Sequence, residues 1–314
     1  MKRGNTFLFL PALTMSLVAL CCGVEYTIPN SYPTFTPGGF STVKVVDSRG
    51  VEVIFEEPPR RIVSISPAHT EILYALGLGD HVVGIDRFSD YPQGTSDKPR
   101  IGDAFTLNLE ALTVLEPDLV YTTFSGPVDS IEQLDIKVLY LFAPSDMSGV
   151  LGNIQLLGRI TGRENQAEVI VSDMEARIEA VMHRLRDVKH GPRLFYELDP
   201  ALFTVGPSSF IGNILGMLKI RNVAEGAIGP YPQITTEVIV EKDPEVIILG
   251  DSSQYLRTGI TLDSVVNRPG WGSITAVVND QVYAFDDTLL SRPGPRIVEG
   301  IEGLAEILYP ELFP

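Results

Sequence analysis

The sequence predicts an α/β protein with two doubly wound α/β lobes joined by a single long helix. Three observations support this prediction: a supersecondary motif that occurs twice, strands that alternate with helices, and one unusually long helical stretch. The chain has 314 residues and a hydrophobic content of 44%. That is enough apolar material for one large core or two smaller ones.

The repeated motif begins with a glutamate and ends with a proline followed by an acid. Glu110 and Pro117 bound the first copy, and Glu237 and Pro244 bound the second with the same spacing. In each copy the glutamate opens a short apolar-periodic segment, the proline stops it, and a β-branched strand follows. One unit used twice so far apart indicates two similar lobes rather than a solenoid.

The segments around the motif alternate between strand and helix patterns. Residues 61–65 read as a buried strand, 70–78 as a helix and 81–85 as the next strand, which is typical of a parallel sheet. The alternation starts again with a strand at 193–197. Between the two lobes, residues 164–189 carry apolar side chains at helical spacing without a glycine or proline. We expect this stretch to be a rigid spine.

The N-terminus has the pattern of a targeting segment. Lys2 and Arg3 precede an apolar run that is too short to span a bilayer comfortably, as in a secretory signal. Cys21 and Cys22 end the run and resemble the acylated cysteine of a bacterial lipoprotein. The alternative is an ordinary signal peptide with incidental cysteines. We favour lipidation because the chain has no other cysteine.

These patterns divide the chain into five predicted regions. They are a lipoprotein-type signal peptide at 1–22, a flexible tether at 23–42, an N-terminal α/β lobe at 43–160, an interlobe spine helix at 161–190 and a C-terminal α/β lobe at 191–314. The tether prediction follows from a stretch rich in Pro, Ser, Thr and Gly that has no helical period.

Composition argues against several functions. The net charge of −16 and the pI of about 4.6 disfavour nucleic-acid binding, and they suit the solubility of an exported protein. Without a cysteine beyond Cys22, the chain has no disulfide framework, thiolate metal site or cysteine nucleophile. The four histidines are scattered, and the sequence has neither a Walker loop nor a G-x-S-x-G elbow. We therefore predict no enzyme activity, metal site or cofactor.

Several segments together resemble one family. Residues 61–79, RIVSISPAHTEILYALGLG, look like the first lobe of the class III periplasmic binding proteins for cobalamin, ferric siderophores and haem. Further segments fit the same family in order: SDYP at 89–92, KPRIG at 98–102, EPDLV at 116–120, TE at 236–237, NRPGW at 267–271 and RPGPR at 292–296. The resemblance extends from about Val43 to the C-terminus.

The resemblance implies an extracytoplasmic solute-binding protein of an ABC importer. Its members bind a small molecule in a cleft between the two lobes and deliver it to a permease dimer. We expect a monomer, anchored to the membrane through its N-terminal lipid, that has no nucleic-acid partner. Glu110 and Glu237 resemble the glutamates that contact arginines of the two permease subunits. Alternatively, or at the same time, they are helix N-terminal glutamates stabilised by the helix dipole.

The predicted ligand contacts lie in loops at the ends of strands. They are His69, Thr70, Phe88, Tyr91, Phe105, Phe124, Phe203, Tyr231 and Arg292. Flat aromatic faces suit a large macrocycle or an aromatic chelate. For each aromatic residue taken alone, a place in the core is the more common alternative.

Cobalamin or a related corrinoid is the preferred ligand, because residues 66–71 and 89–92 look most like that branch. Tyr231, however, stands where cobalamin receptors often have a tryptophan, and the single Trp271 lies in a segment that looks structural. A ferric siderophore would use Arg292, which could equally cap the last helix. Haem would use His69, which could equally be a hydrogen-bonded structural group. A chelatase-like metal enzyme on the same architecture is the alternative of another class.

Overall fold

Two mainly parallel β-sheets organise the protein in the computed structural model. The structure describes residues 40–103, 105–251 and 260–314, and Phe40–Pro314 form one compact unit. The predicted signal peptide, Cys21 and Cys22, and the tether up to residue 39 lie outside the described residues. No described helix is both long enough and apolar enough to cross a membrane.

The first sheet contains four parallel strands in the order β4-β3-β5-β6. An antiparallel hairpin, β1 and β2, precedes it in the chain. The strands are β1 Val43–Val46, β2 Glu52–Phe55, β3 Ile62–Ile65, β4 Val82–Ile85, β5 Leu119–Thr122 and β6 Val138–Tyr140. The strand order reverses between β3 and β5, which creates a crevice at the carboxyl ends of these strands.

The second sheet repeats this order. Its parallel strands run β9-β7-β10-β11, and β8 pairs antiparallel with the end of β7. The strands are β7 Arg193–Asp199, β8 Phe203–Thr204, β9 Arg221–Asn222, β10 Val246–Leu249 and β11 Val282–Ala284. Its crevice therefore lies between β7 and β10.

Helices cover both faces of each sheet. They are α1 Pro67–Ala75, α2 Leu109–Val114, α3 Val128–Glu132, α4 Met147–Thr161, α5 Glu164–Arg184, α6 Phe210–Met217, α7 Thr236–Lys242, α8 Leu262–Val266, α9 Thr275–Val278, α10 Thr288–Ser291 and α11 Ile297–Leu308. Successive strand residues point to opposite faces. In β7, Phe195 therefore packs in one apolar cluster while Leu194 and Tyr196 pack in another. The prediction of two doubly wound lobes is confirmed.

The spine contains one helix more than predicted. α5 spans 21 residues and ends at Arg184, five residues before the predicted end. The chain then forms a turn that is closed by the hydrogen bond from Val188 N to Leu185 O. α4 packs against α5 and was not expected from the sequence pattern. A Cβ at Gly158 would lie 2.5 Å from the Cβ of Ala167, so glycine permits the close approach of the two helices.

One apolar core connects the two lobes through the spine. The same cluster contains Leu73 of α1, Ile154 of α4, Met174 of α5 and Leu304 of α11. Separate clusters fill the outer face of each sheet. Since opening the lobes would expose part of a shared core, the spine works as a packed wall rather than a flexible linker.

The repeated motif builds the same turn in each lobe. Just after α2, Glu116 has φ +44°, and just after α7, Asp243 has φ +45°. The acid after each proline then anchors the residue before β3 or at the start of β7, the first strand of each parallel sheet in chain order. Asp118 accepts the backbone N–H of Arg61 at 3.1 Å, and Glu245 accepts that of Arg193 at 2.7 Å. The motif therefore fixes each helix against its sheet, which explains the spacing found in the sequence.

Candidate functional site

The carboxyl ends of the two sheets face each other across the molecule. At one end, Asp90 follows β4 and accepts a hydrogen bond from Arg292, which follows β11 (Nη1 to Oδ1, 2.6 Å). At the other end, Asn213 of α6 donates to the carbonyl of Ser145, which follows β6 (3.0 Å). These four segments follow the outer strands of the sheets, so the two crevices lie between the two contacts. We call the space between them the cleft.

Aromatic side chains from the first lobe stand exposed at this edge. Phe88, Tyr91, Phe105 and Phe124 are 45%, 44%, 83% and 47% exposed, respectively. The rings of Phe105 and Phe124 lie 5.4 Å apart, in contact. Such exposure is unusual for large apolar rings and marks a binding surface more often than a structural position.

The second lobe contributes two aromatic side chains on paired segments. Phe203 of β8 and Tyr231 are 39% and 54% exposed. The segment around Pro232 lies beside β8, joined by a hydrogen bond from Thr204 N to Pro232 O of 2.9 Å and an isolated antiparallel bridge between Phe203 and Gln233. The pairing explains how two positions far apart in sequence come together.

His69 and Thr70 lie inside the first lobe, not on the cleft surface. Neither side chain is exposed. The His69 ring stacks on Tyr121 with the ring centres 3.9 Å apart, its Nδ1 lies 3.0 Å from Ser66 Oγ, and its Nε2 lies 3.5 Å from the Asn153 amide. Burial lowers the pKa of His69 to about 3, so the ring is neutral. Their burial gives no support to the prediction that these two residues contact the ligand.

Thr70 belongs to a buried network that supports the loop carrying Phe88. Its hydroxyl donates to Ser64 Oγ at 3.0 Å and lies 2.9 Å from Ser89 Oγ. Ser89 donates to Asp86, whose other oxygen accepts the backbone N–H of Phe88 at 2.7 Å. Burial raises the pKa of Asp86 despite these bonds. The network ties the loop that carries Phe88 to α1 and β3.

Arg292 is paired with carboxylates of the opposite lobe. Besides Asp90, its guanidinium reaches Glu71 at 3.4 Å and the carbonyl of Phe88 at 3.2 Å. Arg296 binds the same Glu71 through two hydrogen bonds of 2.8 and 2.6 Å. Burial alone would lower the pKa of Arg292, but its bond to Asp90 and the nearby acids raise it. Arg292 is therefore at the cleft, but its charge is already balanced.

Charged groups fill the crevice of the second lobe. Glu197 at the end of β7 is fully buried and receives two hydrogen bonds from Arg268, of 2.5 and 2.6 Å. Asp251 follows β10, is 1% exposed, and neither of its carboxylate oxygens has a hydrogen-bond partner in the part of the chain described. Burial, and then the charge of Glu197, raise the pKa of Asp251 to about 6.

Glu110 and Glu237 occupy equivalent places on the two lobes. Each is exposed and is the second residue of its helix. The caps are Asn108, which accepts Ala111 N at 3.0 Å, and Thr235, which accepts Val238 N at 3.4 Å. A hydrogen bond from Thr235 lowers the pKa of Glu237. Because α2 and α7 run antiparallel to the strands that follow them, both glutamates lie at the edge of their sheet that faces the cleft.

Three other features of this edge were not predicted: Phe142, Glu71 and Arg296. Phe142 follows β6 and is 65% exposed, and it forms an edge contact with Tyr140. In the sequence, the one signal that separates Phe142 from a core phenylalanine is its place just after the apolar strand β6. Trp271 is fully buried, as its structural-looking segment suggested. Among the described residues, no group of three or more His, Cys, Asp or Glu side chains is arranged to hold a metal ion.

Comparisons with known proteins agree with this geometry. Residues 62–289 match the family described as periplasmic binding protein. This chain is a periplasmic binding protein. The match covers most of the chain, and it confirms the resemblance to the class that includes receptors for cobalamin, haem and siderophores.

This periplasmic binding protein has relatives of different ligand classes. It is 33% identical over 281 residues to an uncharacterised ABC transporter substrate-binding lipoprotein of Bacillus subtilis, covering 86% of this chain and 87% of the relative. It is 29% identical over 290 residues to a cobalamin-binding protein of Halobacterium salinarum, covering 89% and 75%. A solved structure, a possible iron-binding periplasmic protein of Staphylococcus epidermidis, is 27% identical with a TM-score of 0.69, covering 81% and 100%.

Proposed function

We propose that this protein is the extracytoplasmic solute-binding protein of an ABC importer and that it captures cobalamin or a related corrinoid for a permease dimer. The family and the substrate-binding lipoprotein relative support the general role. The observation that supports a large flat ligand is the set of exposed aromatic side chains at the carboxyl edges of both sheets. Such rings bury a large ligand area with few rotatable bonds.

The pairing of the cationic side chains favours a corrinoid over an anionic ferric siderophore. Arg292 is neutralised by Glu71 and Asp90. Arg87 is bound to Asp103 at 2.7 Å. An anionic chelate would have to compete with these carboxylates for the arginines, whereas a macrocycle without a large negative charge stacks on the rings and leaves the pairs intact.

Haem is the second candidate within the family. His69 is buried and neutral, which argues against it as an axial ligand. Tyr91 and Tyr231 are exposed, and each carries a phenol oxygen that could serve in its place. The Tyr91→Phe and Tyr231→Phe variants together separate the two cases, because each keeps the ring for stacking and removes the oxygen.

Contact with the permease is assigned to Glu110 and Glu237. Their equivalent positions, one on each lobe, suit a two-fold permease that offers arginine side chains to both. The helix dipole stabilises both residues in the same positions, so the docking role and this structural role coexist. We further propose that the receptor is a monomer, anchored through Cys21 or Cys22 and the tether at 23–42.

The ligand is tested by calorimetric titration of residues 40–314 with cyanocobalamin, haemin and a ferric siderophore in separate experiments. We expect one-to-one binding of cyanocobalamin at sub-micromolar concentration, unchanged in Tyr231→Phe and weakened in Tyr231→Ala. The Val169→Ala variant is the control, because Val169 is an exposed apolar residue of the spine. Absence of heat with cyanocobalamin and saturation with haemin or the siderophore would overturn the corrinoid assignment. Turnover in a ferrochelatase assay would instead support the chelatase-like alternative.

A further inference from the structure

A second-lobe arginine lies against a first-lobe aromatic ring. The Cζ atom of Arg296 is 3.9 Å from the centre of the Tyr91 ring. This distance is that of a close cation–π contact. Tyr91 is still 44% exposed, so the guanidinium covers part of the residue and leaves surface available to a ligand.

Glu71 holds the guanidinium of Arg296 in a fixed plane. Glu71 lies on α1, is 3% exposed, and accepts from both Nε and Nη2 of Arg296. A fork of two parallel hydrogen bonds fixes the orientation of the planar group as well as its position. Since a buried carboxylate that loses its partner is costly, the pair resists separation.

The backbone before Arg296 leaves little room for adjustment. Gly294 stands between two prolines, and a Cβ at this position would lie 3.1 Å from the carbonyl oxygen of Ala68 on α1. At the start of the same segment, Arg292 binds Asp90 and the carbonyl of Phe88. The segment 292–296 is therefore held against the first lobe at both ends.

Phe88, on the same loop as Tyr91, has a weaker cation–π contact. Arg87 lies over the Phe88 ring at 4.7 Å, but its side chain is 58% exposed and both residues belong to the same loop. The side chain of Arg296 is 14% exposed and comes from the opposite lobe. Of these two contacts, that of Tyr91 is the one that combines a largely shielded cation with a link between the lobes.

We propose that Arg296, held by Glu71, is a positioning residue that fixes the orientation of the Tyr91 ring in the cleft. The second lobe thereby sets the geometry of an aromatic surface that belongs to the first. The consequence for ligand affinity rests on the proposed function, whereas the ordering of the ring does not.

The ring is tested without ligand by placing 3-fluorotyrosine at position 91 and recording its ¹⁹F resonance. We expect one resonance in the otherwise unchanged protein, and a shifted and motionally averaged one in Arg296→Met. The double variant Glu71→Gln/Arg296→Met removes both charges together and covers the case in which the single variant does not fold. Arg177→Met is the control, because Arg177 forms a similar forked pair with Glu302 of α11, in an unrelated place. An unchanged resonance in a folded Arg296 variant would overturn the proposal.

The effect of Arg296 on ligand binding is tested by a double-mutant cycle in which the Kd for cyanocobalamin is measured. Loss of one ordered side chain predicts a roughly threefold to tenfold rise in Kd for Arg296→Met. In a Tyr91→Ala background the same substitution should have no further effect, because Arg296 acts through the ring. Independent, additive losses would overturn the positioning role. Failure of the unchanged protein to bind cyanocobalamin would contradict the proposed ligand only, and the ¹⁹F measurement would still decide the positioning.

Discussion

The two lobes share a backbone plan but fill their crevices with different chemistry. Both have the same order of parallel strands. In both, the acid after the repeated proline accepts the backbone N–H of an arginine and so fixes a helix against the sheet. In the first lobe most of the buried polar groups near the crevice are uncharged, namely Ser64, Ser66, His69, Thr70 and Ser89, and they lie beside the buried carboxylates of Glu71 and Asp86. In the second lobe they are charged: Glu197, Asp251 and Arg268.

This difference shows that the repeated turn is more tightly constrained than the crevices. The turn depends on backbone groups that every copy must satisfy, so the same residue types recur at the same spacing. The crevices depend on side-chain packing, which can be solved in more than one way. His69 of the first lobe and Asp251 of the second respond oppositely to pH, because one is a buried base with a lowered pKa and the other a buried acid with a raised pKa.

The largest expected effect concerns the feature that the lobes share. Reversing both charges, Glu110→Lys with Glu237→Lys, should reduce transport to background and leave ligand affinity unchanged, because both lobes must meet the permease. Uptake by cells and calorimetry on the purified protein measure the two properties. Glu164→Lys is the control, since Glu164 is an exposed acid in the first turn of the spine helix. Full transport by the double variant would contradict the docking role.

A large effect on stability is expected from His69. The folded pKa of about 3 lies below the ordinary value of 6.5, so unfolding takes up a proton as the pH falls below 6.5. The contribution of His69 to the free energy of unfolding is therefore fully present above pH 6.5. It declines toward pH 3 by roughly 4 kcal/mol over that range. Denaturant unfolding at pH 7, 5.5 and 4.5 measures the decline.

The His69→Gln variant should be less stable at pH 7 but should lose stability less steeply on acidification. The difference corresponds to about one proton, roughly 1.4 kcal/mol per pH unit. His183→Gln, which removes an exposed histidine of the spine, is the matched control. Equal slopes in the original protein and His69→Gln would show that the imidazole is not the group responsible.

The opposite trend is expected from Asp251. Its folded pKa of about 6 lies above the ordinary 3.8, so its contribution is most favourable at low pH and is lost as the pH rises through 6. Asp251→Asn removes the ionised form and should raise stability at pH 8 by about 1–2 kcal/mol, with little change at pH 4.5. Thermal unfolding at both values tests this. Destabilisation at pH 8 would mean that the carboxylate has a partner when ionised.

The smallest effects concern the caps of the two equivalent helices. Asn108→Ala and Thr235→Ala should each cost about 1 kcal/mol in the free energy of unfolding. The cost should be greater for Asn108, whose bond to the backbone is 3.0 Å rather than 3.4 Å. Thr236→Ala is the control, since Thr235 is the cap. A greater loss in the control than in Thr235→Ala would contradict this assignment.

Much of the fold could be predicted from local patterns. The strands at 61–65 and 193–197 and the repeated turn were visible because buried strands and proline stops leave clear signals over a few residues. α4 was missed because Gly149, Gly152 and Gly158 interrupt its apolar spacing. At Gly158 the reason is packing against Ala167, a contact that the sequence does not display.

The candidate site was predictable only in part. The aromatic side chains Phe105, Phe124 and Tyr231 are exposed at the expected edge. His69 lies in the first turn of α1 rather than in the expected loop, and its ring points into the core, where it stacks on Tyr121. The local sequence constrains the backbone, but the direction of a side chain depends on the neighbours that the fold supplies.

The sequence by itself determined the two lobes, the family and the equivalence of Glu110 with Glu237, because each rests on residue order and spacing. Only the tertiary structure decided that Arg292 is neutralised and that Arg296 lies over Tyr91. Those pairs join residues more than 200 positions apart in the chain. Partners so distant leave no local pattern, since their contact depends on how the shared core packs the two lobes together.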